Sequence, residues 1–274
     1  MSVALDVPLA DGRVLRAYDS GGSGPVIMWF HGSPQTGRVL SPILDAAAAR
    51  GIRMLSYARP SYGGSTPRIG RDVASAAADT AAVADAAGVE RFATLGASGG
   101  GPHALAGAAL LPDRVTAAAT LAGIAPFEDD PGWWGGMAAP GGLHAARDGR
   151  DARALFAETE VFEPTSFTDA DYAALDGRWG PLGEDVGASG EWGDDGLIDD
   201  DVAFTRPWGV DLADIRVPVL LVQGSDDRVI PPEHAERLHR SIRASQLWRR
   251  AGAGHISVLD AVPDAMDWLL AQER

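Results

Sequence analysis

The sequence predicts an α/β fold: a doubly wound, mostly parallel eight-stranded sheet with helices on both faces and a helical cap inserted after strand 6. Short apolar runs alternate with Ala-rich helical patterns from residue 26 to residue 121, which is typical of parallel strands joined by crossover helices. Residues 26–30, Val-Ile-Met-Trp-Phe, are apolar throughout, as expected of a strand buried on both faces. The alternation stops near residue 125 and resumes near residue 217, which indicates one sheet interrupted by an insertion.

The N-terminal part is predicted to supply six strands. A hairpin comes first, because the Asp11-Gly12 dipeptide between two alternating segments favours a tight turn. The strands are predicted at residues 3–9, 13–19, 26–30, 53–57, 92–95 and 115–121. Helices are predicted between them at residues 39–49, 73–87 and 103–111.

The remaining elements complete the same sheet. Residues 126–207 contain Gly, Pro, Trp and acidic residues in short helical fragments with no clear strand. Strands then follow at residues 217–223 and 246–249, and helices at residues 232–242 and 259–272. We therefore predict a core domain of residues 1–125 and 208–274, and a helical, acidic cap of residues 126–207.

The composition excludes several kinds of chemistry. The 274 residues include 38 acidic and 23 basic residues, a net charge of −15, and every basic residue is Arg. Without Lys there is no Schiff base and no P-loop lysine; without Cys there is no disulfide, thiolate nucleophile or cysteine zinc site. An acidic surface repels a phosphate backbone, so no nucleic-acid partner is expected. No apolar run approaches the roughly 20 residues of a membrane span, and the first twenty residues do not resemble a signal peptide, so we expect a cytoplasmic protein.

A serine lies in a pattern associated with nucleophiles. Gly96-Ala97-Ser98-Gly99-Gly100 fits G-x-S-x-G between a predicted strand and a predicted helix. A sharp turn there exposes the hydroxyl and needs small residues on both sides. An ordinary glycine-rich turn is the alternative. The overlapping residues 99–104 also fit G-x-G-x-x-A, but they follow the fifth strand instead of the first, which disfavours a dinucleotide site; we expect no cofactor.

A nucleophilic serine needs a base, and the base needs an orienting acid. Two late segments supply both residue types: residues 224–231 contain Asp226 and Asp227, and residues 252–255 end at His255. Each segment follows a predicted strand, at the edge where open α/β sheets place their sites. The chain order is therefore Ser, Asp, His.

With His31-Gly32-Ser33-Pro34 after the third strand and residues 59–65, Arg-Pro-Ser-Tyr-Gly-Gly-Ser, after the fourth, the chain resembles the α/β-hydrolase superfamily over nearly its whole length. The resemblance implies that Ser98 is the nucleophile, His255 the general base and Asp227 the acid. It also implies an oxyanion hole formed by the backbone N–H groups of Ser33 and Gly99.

The acid has alternatives. Asp226 is adjacent, although the spacing Gly-x-x-Asp favours Asp227. Some family members carry the acid after the sixth strand, where this chain has Glu128, Asp129 and Asp130; a solvated loop is the simpler explanation for those three.

The other histidines have less specific explanations. We expect His31 to shape the oxyanion loop and His103 to have a packing or surface role. His234 and His239 are five residues apart, a spacing that does not align two metal ligands on one helix face. His144 has no partner pattern, and no metal site is predicted.

The resemblance also implies a lid over the nucleophile, formed by the insertion. Its aromatic residues either pack the lid onto the sheet or line an apolar pocket, and we nominate Trp133 and Trp134 as pocket residues. The expected activity is hydrolysis of a neutral, fairly apolar carboxylic ester, thioester or lactone. An amide hydrolase, a cofactor-free cyclase, lyase or perhydrolase, and an inactive binding protein are alternatives on the same scaffold. The partner is a small-molecule substrate, and the sequence is compatible with a monomer or a homodimer.

The net charge is localised. Residues 128–201 hold 19 acidic residues and four Arg, whereas the rest of the chain holds 19 of each. An acidic lid would favour neutral or cationic substrates over anionic ones. A solvated outer face is the alternative.

Overall fold

The chain folds into alternating strands and helices, and the computed structural model describes residues 2–272. The strands are β1 Val3–Pro8, β2 Val14–Asp19, β3 Val26–Phe30, β4 Arg53–Tyr57, β5 Phe92–Ala97, β6 Val115–Leu121, β7 Val219–Gly224 and β8 Ser245–Arg250. The α-helices are α1 Ser41–Ala48, α2 Ala76–Ala86, α3 Gly100–Leu110, α4 Pro131–Trp134, α5 Gly141–Arg147, α6 Arg150–Ala157, α7 Asp169–Asp176, α8 Gly180–Ser189, α9 Asp195–Phe204, α10 Pro232–Ser241 and α11 Val262–Gln272.

The strands form one eight-stranded sheet in the order β1-β2-β4-β3-β5-β6-β7-β8. The β1–β2 and β2–β4 pairs are antiparallel, and every other neighbouring pair is parallel. The predicted mostly parallel, eight-stranded sheet is confirmed. Because parallel strands end at the same edge, the loops after β3, β5, β7 and β8 meet there.

Two apolar layers bury the two faces of the sheet. Successive residues of β3 alternate between them: Ile27 and Trp29 join the layer that also holds residues of α1 and α11, whereas Met28 and Phe30 join the layer of α2, α3 and α10. Each side chain is at most 2% exposed. Burial of such a side chain contributes roughly 1.5–3 kcal/mol, which explains why the strand is apolar at every position.

The insertion lies between two strands that are neighbours in the sheet. β6 and β7 pair in register from Ala118 with Val219 to Leu121 with Val222. The six helices α4 to α9 lie between them in sequence, and none of the eight strands does. The chain thus leaves the sheet after β6 and returns beside it. We refer to residues 126–207 as the inserted segment.

Four helices begin at positions that differ from the prediction. α1 begins at Ser41 instead of residue 39, and α2 begins at Ala76 instead of residue 73. α3 begins at Gly100 instead of residue 103, since Pro102 lies in the first turn, where its missing N–H leaves no hydrogen bond unmade. The predicted helix at residues 259–272 is instead a 3₁₀ turn, Ser257–Ala261, followed by α11.

Part of the acidic excess of the inserted segment faces inward. Asp171, Asp199, Asp200 and Asp201 are all buried. A solvated outer face therefore does not account for all of these charges. No helix within residues 2–272 has the length and apolar character needed to cross a membrane.

Candidate active site

The turn between β5 and α3 places Ser98 at the carboxyl edge of the sheet. Ser98 has φ of 51°, a left-handed conformation that is uncommon for non-glycine residues and marks a constrained turn. A Cβ at Gly96 would lie 2.4 Å from the Gly100 carbonyl oxygen, and one at Gly100 would lie 2.0 Å from that of Phe30. Both glycines are therefore required by close backbone contacts, which explains the G-x-S-x-G pattern physically.

The structure brings Ser98, His255 and Asp227 together. Ser98 Oγ lies 3.0 Å from His255 Nε2, and His255 Nδ1 lies 2.9 Å from Asp227 Oδ2. His255 and Asp227 are buried, whereas Ser98 is half-buried. If Nδ1 carries the proton that it donates to Asp227, Nε2 is free to accept the serine proton.

The loop after β7 selects Asp227 as the partner of His255. The Oδ1 atom of Asp227 accepts hydrogen bonds from the N–H groups of Val229 and Ile230, each 2.9 Å long. Asp226 is instead exposed, and its carboxylate accepts from Ser225 Oγ. Asp226 lies in the turn at residues 225–226 and faces solvent, whereas Asp227 is buried, so only Asp227 reaches the histidine.

The alternative acids after β6 lie elsewhere. Glu128 and Asp130 pair with Arg237 of α10, and Asp129 pairs with Arg147. All three carboxylates are at least 40% exposed. Glu128 and Asp130 thus hold the start of the inserted segment against α10, whereas Asp129 pairs within the segment.

The environment of His255 favours its protonated form. Burial lowers the pKa of His255, but the charge of Asp227 and its hydrogen bond raise it by more, and the charge of Asp171 adds to the rise. The net pKa lies above the ordinary value of 6.5. A charged imidazole at this position is thus stabilised.

The loop after β3 faces the serine. A Cβ at Gly99 would lie 2.4 Å from Ser33 Oγ, so the two segments approach closely. Within residues 2–272, the backbone N–H groups of Ser33 and Gly99 donate to no protein acceptor, which leaves both available to a ligand. The neighbouring N–H of Gly32, in contrast, donates to Gln35 Oε1 at 2.6 Å.

His31 holds this loop in place. Its Nδ1 lies 2.7 Å from the Gly32 carbonyl oxygen, and its Nε2 accepts the N–H of Arg59 at 3.2 Å. Burial, followed by the charge of Arg59, lowers its pKa well below the ordinary value. A neutral imidazole whose two nitrogens are both hydrogen-bonded to the backbone has a structural role.

Beneath the loop lies a buried ionic cluster centred on Asp200 of α9. Its carboxylate pairs with Arg59 and Arg71, each at 2.6 Å, and accepts from Ser33 Oγ at 2.5 Å and Tyr62 Oη at 2.8 Å. Burial raises the pKa of Asp200, but the two guanidinium groups lower it well below its usual range. The inserted segment is thereby joined to the loop that faces Ser98.

A cavity of about 480 Å³ opens above Ser98 and His255. Apolar side chains of the inserted segment form much of its wall: Met137, Leu143, Phe162, Phe167, Leu175, Leu182, Val186, Leu197 and Phe204. Val161 and Phe162 also line it and are 84% and 58% exposed, which locates an entrance. The charged residues on its wall are Arg153 with its partners Glu160 and Asp201, and Glu163.

Trp133 and Trp134 are absent from the cavity wall, so the structure does not place these two predicted pocket residues at the site. Trp133 is fully buried, its Nε1 donates to the Pro126 carbonyl at 3.0 Å, and its ring packs edge-on against His234. Trp134 stacks on His144. The indole of Trp133 therefore holds the segment that follows β6, because the carbonyl of Pro126 accepts its N–H.

Two more histidines are structural. His103 Nδ1 lies 2.8 Å from the Gly99 carbonyl, and burial lowers its pKa to about 3. His234 accepts the N–H of Ala125 and contacts the Trp133 carbonyl, and burial lowers its pKa to about 4. Both rings are neutral near pH 7.

The sequence did not identify three carboxylates of the inserted segment that bind the loops around Ser98. Asp200 binds Ser33, Asp185 of α8 accepts from the N–H and Oγ1 of Thr36, and Asp171 of α7 accepts from residues 255–257. Of these, Asp171 alone had a local signal, since Thr168-x-x-Asp171 fits a helix capping box. The other contacts join positions more than 140 residues apart, which no local pattern reveals.

The comparisons with known proteins agree with this architecture. A family model described as the alpha/beta hydrolase fold matches residues 25–262. The chain is 26% identical over 265 residues to a Synechocystis sp. protein provisionally named a non-heme chloroperoxidase, covering 93% of this chain and 90% of the relative. The structure of this chain is similar to that of a thermophilic esterase from Thermogutta terrifontis, with a TM-score of 0.74, 20% identity and complete coverage of both chains.

A second similar structure is an enol-lactonase from Burkholderia xenovorans, with a TM-score of 0.73, 21% identity and coverage of 97% of this chain and all of the other. At these identities the two structures show a shared fold. The family match spans most of the chain and includes every strand from β3 to β8. The chain therefore belongs to the alpha/beta hydrolase fold family.

Proposed function

We propose that this protein is a serine hydrolase that cleaves a neutral, fairly apolar carboxylic ester, thioester or lactone through an acyl-enzyme on Ser98. The observation that carries the proposal is the hydrogen-bonded series from Ser98 Oγ to His255 at 3.0 Å and from His255 to Asp227 at 2.9 Å. A serine hydroxyl becomes a good nucleophile when a neighbouring base can remove its proton.

In the first half of the reaction Ser98 Oγ attacks the substrate carbonyl carbon. His255 Nε2 takes the serine proton, and Asp227 stabilises the imidazolium that forms. The proton then passes to the leaving alkoxide or thiolate as the carbonyl re-forms, which leaves an ester between the acyl group and Ser98. In the second half a water molecule repeats these steps and releases the acid.

The developing negative charge needs hydrogen-bond donors. We assign this role to the N–H groups of Ser33 and Gly99, because both residues line the cavity beside Ser98 and neither N–H has an acceptor within the described part of the chain. A donor of this kind contributes a factor of about 10²–10³ in rate.

The walls of the cavity support the substrate class. They are mainly apolar, and the inserted segment supplies much of them, so we assign this segment the role of a lid that excludes water and selects the acyl or leaving group. A neutral, apolar substrate loses little hydration on entering such a cavity.

Activity-based labelling tests the proposal. A fluorophosphonate probe should label the wild-type protein at Ser98 and should not label Ser98→Ala, and p-nitrophenyl esters should be hydrolysed. The matching p-nitroanilides test the amide alternative. A folded wild-type protein that resists the probe would refute an activated Ser98, whereas labelling without turnover of any ester would favour a cyclase, a lyase or a binding protein.

A second candidate is perhydrolysis, favoured by the name of the Synechocystis relative. Hydrogen peroxide would then replace water as the nucleophile that releases the acyl group, giving a peracid and free Ser98. The peracid would oxidise bromide in solution. Peroxide-dependent bromination in acetate buffer that disappears in Ser98→Ala would support this activity; bromination unchanged in Ser98→Ala would exclude it.

A further inference from the structure

One buried carboxylate outside the proposed reacting groups contacts the chain on both sides of His255. Asp171 of α7 is fully buried. Its Oδ1 accepts the N–H groups of Ile256 and Ser257, both at 2.8 Å, and the hydroxyl of Ser257 at 2.9 Å. Its Oδ2 lies 3.2 Å from the N–H of His255. Asp171 thus binds three consecutive backbone N–H groups that begin at the histidine.

Helix capping does not account for these contacts. Asp171 forms a capping box with Thr168, which uses Oδ2 and the N–H of Asp171. A capping box requires neither burial nor a second carboxylate oxygen. Here Oδ1 is occupied entirely by Ile256 and Ser257, which lie 85 and 86 residues away in the sequence.

The loop before His255 is shaped for the carboxylate. A Cβ at Gly254 would lie 2.0 Å from Asp171 Oδ2, so only glycine allows the approach. The N–H of Gly254 also donates to Ser257 Oγ at 2.8 Å. The segment 254–257 is therefore folded around Asp171.

The carboxylate is charged. Burial raises the pKa of Asp171, but hydrogen bonds from Ser257, Thr168 and Ile256 lower it by more, so that the net pKa lies below the usual value. This negative charge raises the pKa of His255. Asp227, in the loop after β7, also raises the pKa of His255 through its charge and its hydrogen bond.

We propose that Asp171 is a positioning residue for the base, which holds the loop of His255 so that the imidazole meets both Ser98 and Asp227. This inference rests on the proposed role of His255. It also connects the inserted segment to the reaction, because Phe167 and Leu175, on either side of Asp171, line the cavity.

The rate of fluorophosphonate labelling at Ser98, measured from pH 5 to 9, tests the inference. In Asp171→Asn the amide nitrogen must replace one oxygen and face N–H donors. We expect the labelling rate constant to fall about 10- to 100-fold, with the concentration for half-maximal rate unchanged. We also expect the inflection of the acid limb to move to lower pH, because a negative charge near His255 is lost.

Two control variants isolate the effect. Asp169→Asn removes the same charge from an exposed position on the same helix. Thr168→Val removes the side-chain cap of α7 and the bond from its hydroxyl to Asp171 Oδ2, but it leaves the carboxylate and all of its bonds to residues 255–257 in place. Both should label within about twofold of wild type with an unchanged inflection, although Thr168→Val should melt at a lower temperature.

The outcomes are distinct. If wild type is not labelled, the proposed function fails; if wild type is labelled and a folded Asp171→Asn keeps its rate and inflection, the positioning role fails. A purely structural role predicts that Thr168→Val and Asp171→Asn lower the melting temperature alike and leave the inflection unchanged. Should Asp171→Asn not fold, Ser257→Ala serves instead: it removes a hydroxyl that joins the loop to Asp171 and accepts the N–H of Gly254, and it keeps the charge of Asp171. This variant must lower the rate at an unchanged inflection, and a wild-type rate would overturn the inference.

Discussion

Replacing Asp227 with Asn changes one atom of the proposed triad, and the structure determines how the new amide must lie. Oδ1 accepts two backbone N–H groups, from Val229 and Ile230, so the amide oxygen of Asn stays at this position. Its Nδ2 then takes the place of Oδ2, 2.9 Å from His255 Nδ1. Two donors cannot face each other, and His255 must therefore carry its proton on Nε2.

The magnitude follows from this tautomer. With a proton on Nε2, His255 cannot accept the proton of Ser98, and the charge that stabilises the imidazolium is also lost. The corresponding substitution in a Ser-His-Asp enzyme lowers kcat by about 10⁴, equivalent to about 5.5 kcal/mol of activation free energy. Fold stability should suffer less. Gln223 can turn its amide so that Oε1, which has no partner in the described structure, accepts the new N–H in exchange for the bond from Nε2 to the Ile230 carbonyl.

The assay is kcat/KM for a p-nitrophenyl ester, with the melting temperature as a check on folding. Asp226→Asn is the matched control, since Asp226 is exposed and its carboxylate accepts, within residues 2–272, only from the adjacent Ser225. It should retain activity within about twofold of wild type. A folded Asp227→Asn with near-wild-type activity, or a larger loss in Asp226→Asn, would refute the assignment of the acid.

Three other perturbations test the remaining conclusions. Ester kcat/KM should fall with decreasing pH through the raised pKa of His255, because a general base must be neutral; an inflection below 6.5 would contradict the effect of Asp227. Asp200→Asn should lower the free energy of unfolding by about 3–5 kcal/mol, since it leaves two buried arginines without their counter-charge; a change below about 1 kcal/mol in urea denaturation would show that the cluster is not stabilising. At low salt, an acidic lid should give a neutral ester a higher kcat/KM than an anionic ester of matched shape; equal values would leave the acidic residues without a steering role.

The charge of the inserted segment illustrates what composition can and cannot indicate. The excess of acid within residues 128–201 is evident from counting. Counting cannot show that Asp171 and Asp200 are fully buried, or that Asp200 pairs with two buried arginines, Arg59 and Arg71. The buried carboxylates therefore bind the inserted segment to the loops of the site, whereas most of the acidic residues counted in the sequence remain on its surface.

The tryptophans show a similar limit. Hydrophobicity identifies side chains that avoid water, but it does not separate those that pack against the protein from those that line a cavity. Trp133 packs inward because the carbonyl of Pro126 accepts its N–H. The residues that line the cavity near its entrance, Val161 and Phe162, are more exposed than any pocket residue the sequence nominated.

By itself, the sequence determined the sheet and the turn that carries Ser98, because both depend on local rules. Apolar runs specify buried strands, and glycine is required wherever backbone atoms approach as closely as Gly100 and Phe30 do. Only the tertiary structure decided which aspartate reaches His255, which residues line the cavity, and which carboxylates of the inserted segment hold the loops of the site. Those relations join residues far apart in the chain, and the contacts that create them exist only after the sheet has brought the strand ends to one edge.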